Sequence, residues 1–260
     1  DTVTQKGLKV VAVDVERSDS GLLEDMPAID VENAWGLDAT SYGNHEFDYG
    51  VERLLRHQER ANCPFLGANI VDENTLQNPD WVQPSKVFNF HGLPVGVIGI
   101  GLENTPELVS AGATAGLRFL PAITTIRAES ERLKAQGVNV QIVLIHEGSA
   151  LGRNAAGNTS PIPWEGPIID IVQGIQDTTV DVVLAGHTHR ISNMMVGRIL
   201  VAEGLNAGAS YSVVQMVADE NTVDIEWAGA ATRIAKNIGV APRADVQAIV
   251  DDANAQTAIL

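Results

Sequence analysis

Short apolar runs alternate with helical patterns along this 260-residue chain, and that alternation restricts its fold more than any other feature. Strands that are apolar at nearly every position belong to sheets covered on both faces. Strands that alternate with amphipathic helices are typical of layered α/β domains rather than of sandwiches or bundles. The sequence therefore predicts an α/β fold. The predicted strands are KVVAVDV (9–15), DATSYGN (38–44), CPFLGANIV (63–71), VQIVLIHEG (140–148) and VDVVLAGHT (180–188).

Helices and hairpins complete this pattern. Four segments place apolar residues every three or four positions, the period of an amphipathic helix: 26–36, 51–61, 121–137 and 167–177. Two antiparallel hairpins are predicted, one turning at His91-Gly92 and one around Asp219 to Asn221, so the sheets are expected to be mixed. The last twenty residues, 241–260, predict a helix that either docks on the domain or connects it to a further one.

Charge and cysteine content exclude several classes of function. The net charge of −16 should repel nucleic acid and anionic membranes unless a local patch or a metal reverses the field. The sequence contains no run of about eighteen apolar residues, so no membrane span is predicted. Residues 1–11, DTVTQKGLKVV, lack the basic and then apolar layout of a signal peptide. The single cysteine, Cys63, precedes Pro-Phe-Leu and is expected to be a small buried hydrophobic residue rather than a nucleophile.

Three predicted strands end in polar motifs, each built around histidine. Gly43-Asn44-His45-Glu46 follows strand 38–44, His146 ends strand 140–148, and His187 with His189 ends strand 180–188. Ligands of open α/β sheets bind at the carboxyl ends of strands, so these motifs are expected to converge on one edge. In extended backbone His187 and His189 would point the same way.

Imidazole nitrogens combined with oxygen donors suit Mn, Fe, Zn, Co or Ni, so the converging motifs predict a metal site. The glycines within them allow tight turns and close approach of the backbone to an ion or a phosphate. The two remaining histidines, His57 in a charged helix and His91 in a turn, are expected to be solvated surface residues.

These motifs resemble those of the calcineurin-like metallophosphoesterases. The resemblance rests on GNHE (43–46), His-x-Gly (146–148) and GHTH (186–189). The longer strings GNHEFDYG, GLD (36–38), GAN (67–69), IGIGLENTPELVS (98–110) and VDVVLAGHTH resemble the branch of 5′-nucleotidases and 2′,3′-cyclic-nucleotide phosphodiesterases. The resemblance implies a four-layer α/β/β/α sandwich with two mixed β-sheets.

The resemblance also implies two divalent metal ions, drawn from Mn, Zn, Mg, Fe or Co. One ion would be held by Asn44, His146 and His187, the other by His189, with an aspartate bridging the pair. The candidate for the bridging aspartate is Asp14, since Asp19 lies in a predicted loop.

The implied reaction is hydrolysis of nucleotide-type phosphate esters by metal-activated water. His45 would contact the phosphoryl group, and Asp48 would hold the imidazole of His45. Glu46 is expected to point toward the backbone in a supporting role. Arg153 and Arg190 lie near the motifs, but both are expected to be ordinary surface charges.

One motif of the family is missing. An Asp-x-His sequence should end the first strand, yet no histidine precedes His45. Three explanations stay open: the chain lacks its N-terminal strand, the domain holds one metal at Asn44, His146 and His187 and works poorly or not at all, or another residue replaces the lost ligands. A catalytically impaired binding domain is thus the alternative function. A metal-dependent nuclease of the same superfamily is a weaker candidate because of the net charge.

The expected organisation is a metallophosphoesterase domain over 1–240, with its first strand and first motif missing or divergent. Residues 241–260 would then form a helix leading to a C-terminal substrate-binding domain. Segment 151–167, rich in Gly, Asn, Ser and Pro, is a candidate substrate-side loop. By resemblance the protein is expected to be secreted, periplasmic or on the cell surface. Its partner would be a small nucleotide or phosphate ester, with no nucleic acid polymer and no membrane span.

Overall fold

The structure, a computed structural model, describes residues 5–13, 23–90, 92–151, 164–219, 222, 224–236 and 238–258. Four residues named above, Asp14, Asp19, His91 and Arg153, lie outside the described residues, as does most of the predicted substrate-side loop.

Helices and strands alternate through most of the described chain. The strands are β1 (Gln5–Val13), β2 (Thr40–Ser41), β3 (Phe65–Leu66), β4 (Ile70–Asp72), β5 (Ser85–Phe90), β6 (Leu93–Ile100), β7 (Leu117–Phe119), β8 (Val140–Ile145), β9 (Ala150–Leu151), β10 (Trp164–Glu165), β11 (Val180–Ala185), β12 (Ser192–Val196), β13 (Ile199–Glu203), β14 (Ser210–Asp219) and β15 (Ile225–Ile234). The helices are α1 (Met26–Trp35), α2 (Val51–Arg60), α3 (Thr105–Leu108), α4 (Ala122–Lys134), α5 (Pro167–Gly174) and α6 (Ala244–Thr257).

A six-stranded mixed sheet in the order β12-β13-β11-β8-β6-β5 forms the centre of the domain. The four inner strands β6, β8, β11 and β13 run parallel, and an antiparallel strand closes each edge. Inner strands such as β6 and β8 are apolar at almost every position because both faces of the sheet are covered. Parallel pairing places the carboxyl ends of β8 and β11 side by side at one edge.

Each face of the six-stranded sheet packs against a different layer. On one face, Ile98 and Val143 join the buried residues of α4 and α5, including Ile126 and Val172. On the other face, residues such as Val97 pack against a three-stranded antiparallel sheet of order β1-β14-β15. The layers therefore run helix, sheet, sheet, which confirms the α/β class.

The outer face of the three-stranded sheet carries Val11 and Trp227, which are 52% and 54% exposed. A fourth layer over this face stays a prediction. Further sheets of two strands each pair β2 with β3, β4 with β7 and β9 with β10 in the described part of the chain.

A smaller core holds the turn that follows β2. Tyr42, Phe47 and Leu54 are fully buried together with Phe65 of β3. Because Phe47 is anchored there, the polar residues on either side of it are fixed relative to the central sheet. Strand β2 is shorter than the predicted strand 38–44, since a 3₁₀ turn over His45–Phe47 follows it closely.

Both predicted hairpins are confirmed, as β5–β6 and β14–β15. Helix α6 packs beside α1, and Arg243 Nη2 donates a 2.9 Å hydrogen bond to the Ala34 carbonyl. The domain boundary at 240 and a connecting role for this helix stay predictions. None of the described helices combines the length and the apolar character needed to cross a membrane.

The expectation that His57 is a solvated surface residue is wrong. Its side chain is 4% exposed, and Nε2 donates a 2.7 Å hydrogen bond to the Glu24 carbonyl ahead of α1. His57 lies three positions after Leu54 on the buried face of α2, so helical spacing places it inward although charged residues surround it in sequence. Cys63 is buried and unbridged, as expected.

Gly99 of β6 provides a test of how tightly β3 is held. A Cβ at this position would lie 2.2 Å from the backbone carbon and oxygen of Leu66, so Gly99→Ala forces strands apart. We expect a loss of about 1–3 kcal/mol in the free energy of unfolding, measured by urea denaturation. Gly7→Ala in β1, which meets nothing within 4 Å, is the matched control. Its unfolding free energy should stay within about 1 kcal/mol of the original chain, and equal stability of the two variants would contradict the packing.

Candidate functional site

The three histidine motifs line one end of a cavity of about 640 Å³ between the two main sheets. Its lining includes His45, Glu46, His146, His187 and His189. They follow β2, β8 and β11, as expected for ligand-binding residues at the carboxyl ends of strands. The predicted convergence of the motifs is therefore what the structure shows.

The turn after β2 arranges an amide, an imidazole and two carboxylates over five residues. Phe47 N donates to the Asn44 carbonyl at 3.0 Å, which closes the 3₁₀ turn. His45 Nδ1 lies 2.8 Å from Asp48 Oδ2, so the carboxylate accepts a hydrogen bond from the ring and fixes its orientation. Glu46 Oε2 accepts a 2.5 Å hydrogen bond from the Gly43 backbone, as expected for its supporting role.

The Nε2 atom of His146 is buried. The backbone N–H of this residue donates to the Ile100 carbonyl at 3.1 Å, which ties the end of β8 to the end of β6. Burial lowers the pKa of His146 to about 4, with the nearby Glu46 carboxylate opposing that shift and His187 adding to it. The ring centroids of His146 and His187 are 5.0 Å apart. His146 is therefore held as neutral imidazole, the form that binds metals.

The backbone at His187 and His189 is left-handed, with φ of 70° and 55°. The expectation that the two residues lie in extended backbone and point the same way for that reason is wrong. Strand β11 ends at Ala185, and the turn that follows carries both imidazoles into the cavity. Non-glycine residues in this conformation cost roughly 1–3 kcal/mol each and cluster at functional sites.

Two carboxyl groups next to the histidine motifs, the half-buried Glu147 and the buried Glu203, were missed by sequence reasoning. Burial raises the pKa of Glu147 and of Glu203. Glu203 is the single charge in the apolar segment ILVAEG (199–204), and a lone charge at the end of a buried strand is the signal that would have found it.

Among the described residues, two buried polar atoms at this site have no hydrogen-bond partner: Asn44 Oδ1 and His146 Nε2. Buried polar groups are almost always satisfied, so an orphaned amide oxygen and an orphaned imidazole nitrogen in two of the histidine motifs point to a bound ligand. An amide oxygen and an imidazole nitrogen both suit a divalent cation. Asn44 and His146 are two of the three residues expected to hold the first metal ion, and their free atoms suit that role.

Within the described ranges, no group of three or more His, Cys, Asp or Glu side chains is arranged to hold a metal ion. The second ion of the expected pair depends on Asp14, which lies outside the described residues. Arg190 is exposed, as expected for a surface charge.

The amino-acid sequence is similar to those of several known proteins. The chain is 29% identical to the cell wall protein Lmo0130 of Listeria monocytogenes, covering 91% of this chain and 33% of that protein. Identity to the endonuclease YhcR of Bacillus subtilis is 27%, over 79% of this chain and 17% of that protein. The NAD 5′-nucleotidase of Haemophilus influenzae is 31% identical over 61% of this chain and 23% of that protein. The chain thus spans a third or less of the length of these relatives.

The fold matches a solved calcineurin-like phosphoesterase, YfkN of Bacillus subtilis, with a TM-score of 0.72. That match has 18% identity and covers 89% of this chain and 73% of the other. No model of a protein family matches the chain. Relatives and structural neighbours include 5′-nucleotidases and calcineurin-like phosphoesterases, which confirms the resemblance found in the motifs.

The burial of His146 predicts an acid-sensitive fold when metal is absent. The pKa of His146 in the folded chain, about 4, lies below the ordinary value of 6.5. Above pH 6.5 the ring is neutral in both the folded and the unfolded chain, and the stability contribution of this difference is fully present. That contribution should be lost as pH falls from 6.5 to about 4, at no more than about 1.4 kcal/mol per pH unit. Urea denaturation in chelator across this range measures it. His146→Gln cannot take up the proton and should show a flatter dependence; parallel curves for the two proteins would refute the assignment.

Proposed function

We propose that the chain is a divalent-metal-dependent phosphoesterase domain that hydrolyses nucleotide-type phosphate esters. The observation that carries this proposal is the shared cavity, where the oriented His45 imidazole meets His146, His187 and His189. Core packing does not explain such a set, because it leaves acceptors unsatisfied and backbone strained.

One cation would be held by Asn44 Oδ1, His146 Nε2 and the imidazole of His187. The second would be held by His189, with Asp14 as the bridging ligand. When bound, such ions lower the pKa of a water molecule and neutralise the charge of the phosphoryl oxygens. The neutral state of His146, imposed by burial, prepares this ligand before any ion arrives.

His45 and Asp48 act on the substrate side in this proposal. Because Nδ1 of His45 is hydrogen-bonded to Asp48, the other ring nitrogen, Nε2, is the one that would contact the phosphoryl group. A donor held in advance stabilises charge on the phosphoryl oxygens at no reorganisation cost. Glu46 holds the Gly43 backbone and keeps the turn in place.

The substrate class rests on the relatives. One relative is named an NAD 5′-nucleotidase, which supports a nucleotide-type ester. Another is named a cell wall protein, which supports an extracellular or cell-surface location.

A second candidate, a metal-dependent nuclease, is favoured by one relative that is named an endonuclease. The net charge of −16 opposes binding of a polyanion. Incubation with single-stranded DNA or RNA in parallel with mononucleotides separates the two: cleavage of polymer at a rate comparable to AMP hydrolysis would favour the nuclease.

Substitution of His45 tests the proposed reaction. With Mn²⁺ or Zn²⁺ present, the chain should hydrolyse p-nitrophenyl phosphate and AMP. We expect His45→Ala to lower kcat by roughly 10²–10³-fold, because a positioned donor to the phosphoryl group is lost. Asp48→Asn should lower kcat by roughly 10–100-fold, since the ring keeps its place but loses the carboxylate that orients it.

Glu52→Gln serves as the control, because this neighbouring carboxylate is 93% exposed and forms a surface ion pair with Arg56 one turn along α2. Its kcat should equal that of the original chain. Circular dichroism checks that all three variants fold. A metal-loaded chain that hydrolyses none of these substrates would overturn the proposed function and leave a binding domain.

A further inference from the structure

Glu203 occupies the carboxyl end of β13 and is 1% exposed. Its two oxygens accept hydrogen bonds from neighbours on two different loops. Oε2 receives both the backbone N–H and the hydroxyl of Ser149, each at 3.2 Å. Oε1 lies 2.6 Å from the Thr188 hydroxyl and 3.3 Å from the backbone nitrogen of Arg190.

These two loops carry the imidazoles of the site. Ser149 lies three residues after His146, and Thr188 lies between His187 and His189. The Thr188 hydroxyl has one proton to share between Glu203 and the Ser149 carbonyl, which lies 2.8 Å away. One buried carboxylate therefore joins the loop after β8 to the loop after β11.

The space between the loops is filled. A Cβ at Gly148 would lie 2.3 Å from Thr188 Oγ1 and 2.7 Å from Glu203 Oε1. Interiors packed this closely have discrete arrangements and do not deform continuously. Close packing of this kind transmits strain, so a change in the bridge is expected to shift one loop relative to the other.

We propose that Glu203 is a positioning residue that sets the separation of His146 from His187 and His189. The inference rests on the proposed function for its chemical purpose, while the bridge itself is a property of the fold. Left-handed backbone at His187 and His189 persists only where the surroundings hold it. The bonds from Thr188, between the two histidines, and from Arg190, directly after them, to Glu203 supply that hold.

A carboxylate is required for this bridge. The backbone N–H of Ser149 points at one oxygen and that of Arg190 at the other, so both sides of the group must accept. An amide accepts on one side only, and its NH₂ would face a backbone N–H on the other. Glu203→Gln therefore preserves volume and breaks one half of the bridge.

The first measurement uses metal-free protein labelled with ¹⁵N. Imidazole nitrogen and carbon-bound proton shifts report on the rings directly. In Glu203→Gln we expect the signals of His146, His187 and His189 to move, while His57 on α2 keeps its shifts. Unchanged signals for the three site histidines in a folded variant would overturn the proposal.

The second measurement is Mn²⁺ affinity by titration calorimetry and turnover of p-nitrophenyl phosphate. Loss of a group that orients metal ligands lowers metal affinity or activity by roughly 10–100-fold. We expect Glu203→Gln to lower Mn²⁺ affinity or kcat by this factor and to change KM far less. Glu129→Gln is the matched control, a buried carboxylate that pairs with Arg132 on α4. It should leave Mn²⁺ affinity and the site histidine shifts unchanged.

Thr188→Val covers the case in which Glu203→Gln does not fold. This variant removes one hydroxyl at constant shape, and smaller shifts of the same three histidine signals are expected. Absence of those shifts would again overturn the proposal. If the unsubstituted chain binds no Mn²⁺ and hydrolyses nothing, the proposed function fails, yet the imidazole shifts still decide the role of Glu203.

Discussion

Parallel pairing of β8 with β11 is the constraint on which the site depends. The register sets Ile145 opposite Ala185, so both strands end at the same level of the sheet. His146 follows one strand directly, and the left-handed turn through His187 follows the other. On its other side β8 pairs with β6, and Ile145 lies opposite Ile100. A slip of one residue in this register would send His146 to the wrong face.

Burial on both faces of the six-stranded sheet fixes that register. Helices α4 and α5 cover one face, and the three-stranded sheet covers the other. This packing compensates for features of the site that work against folding, such as a histidine held neutral by burial and two residues in left-handed backbone. Natural chains break local rules of this kind at functional sites and offset the cost elsewhere.

Much of this arrangement could be predicted from sequence, because periodicity and strand-end chemistry are local signals. The apolar strands, both hairpins and the grouping of GNHE with the later histidines all follow from such signals. Two features do not. The burial of His57 depends on which face of α2 meets the segment before α1, and composition favours the opposite answer. The left-handed turn at His187 and His189 has no signal in its own residues; within it Thr188 bonds to Glu203, which lies 15 residues further along the chain and meets it only in the fold.

Charge around the cavity connects composition with the proposed chemistry. The lining includes three acidic residues, Glu32, Asp38 and Glu46. Lys9 also borders the cavity, but its neighbours Leu8 and Val10 face the core, so strand alternation directs the Lys9 side chain to the outer face of β1. A phosphate ester that approached these carboxyl groups alone would be repelled, as the net charge of −16 already implies. The same carboxylates attract cations, and a divalent ion held by Asn44 and His146 would reverse the local field. Under the proposed function, the cation would therefore be needed to bind the anionic ester as well as to hydrolyse it.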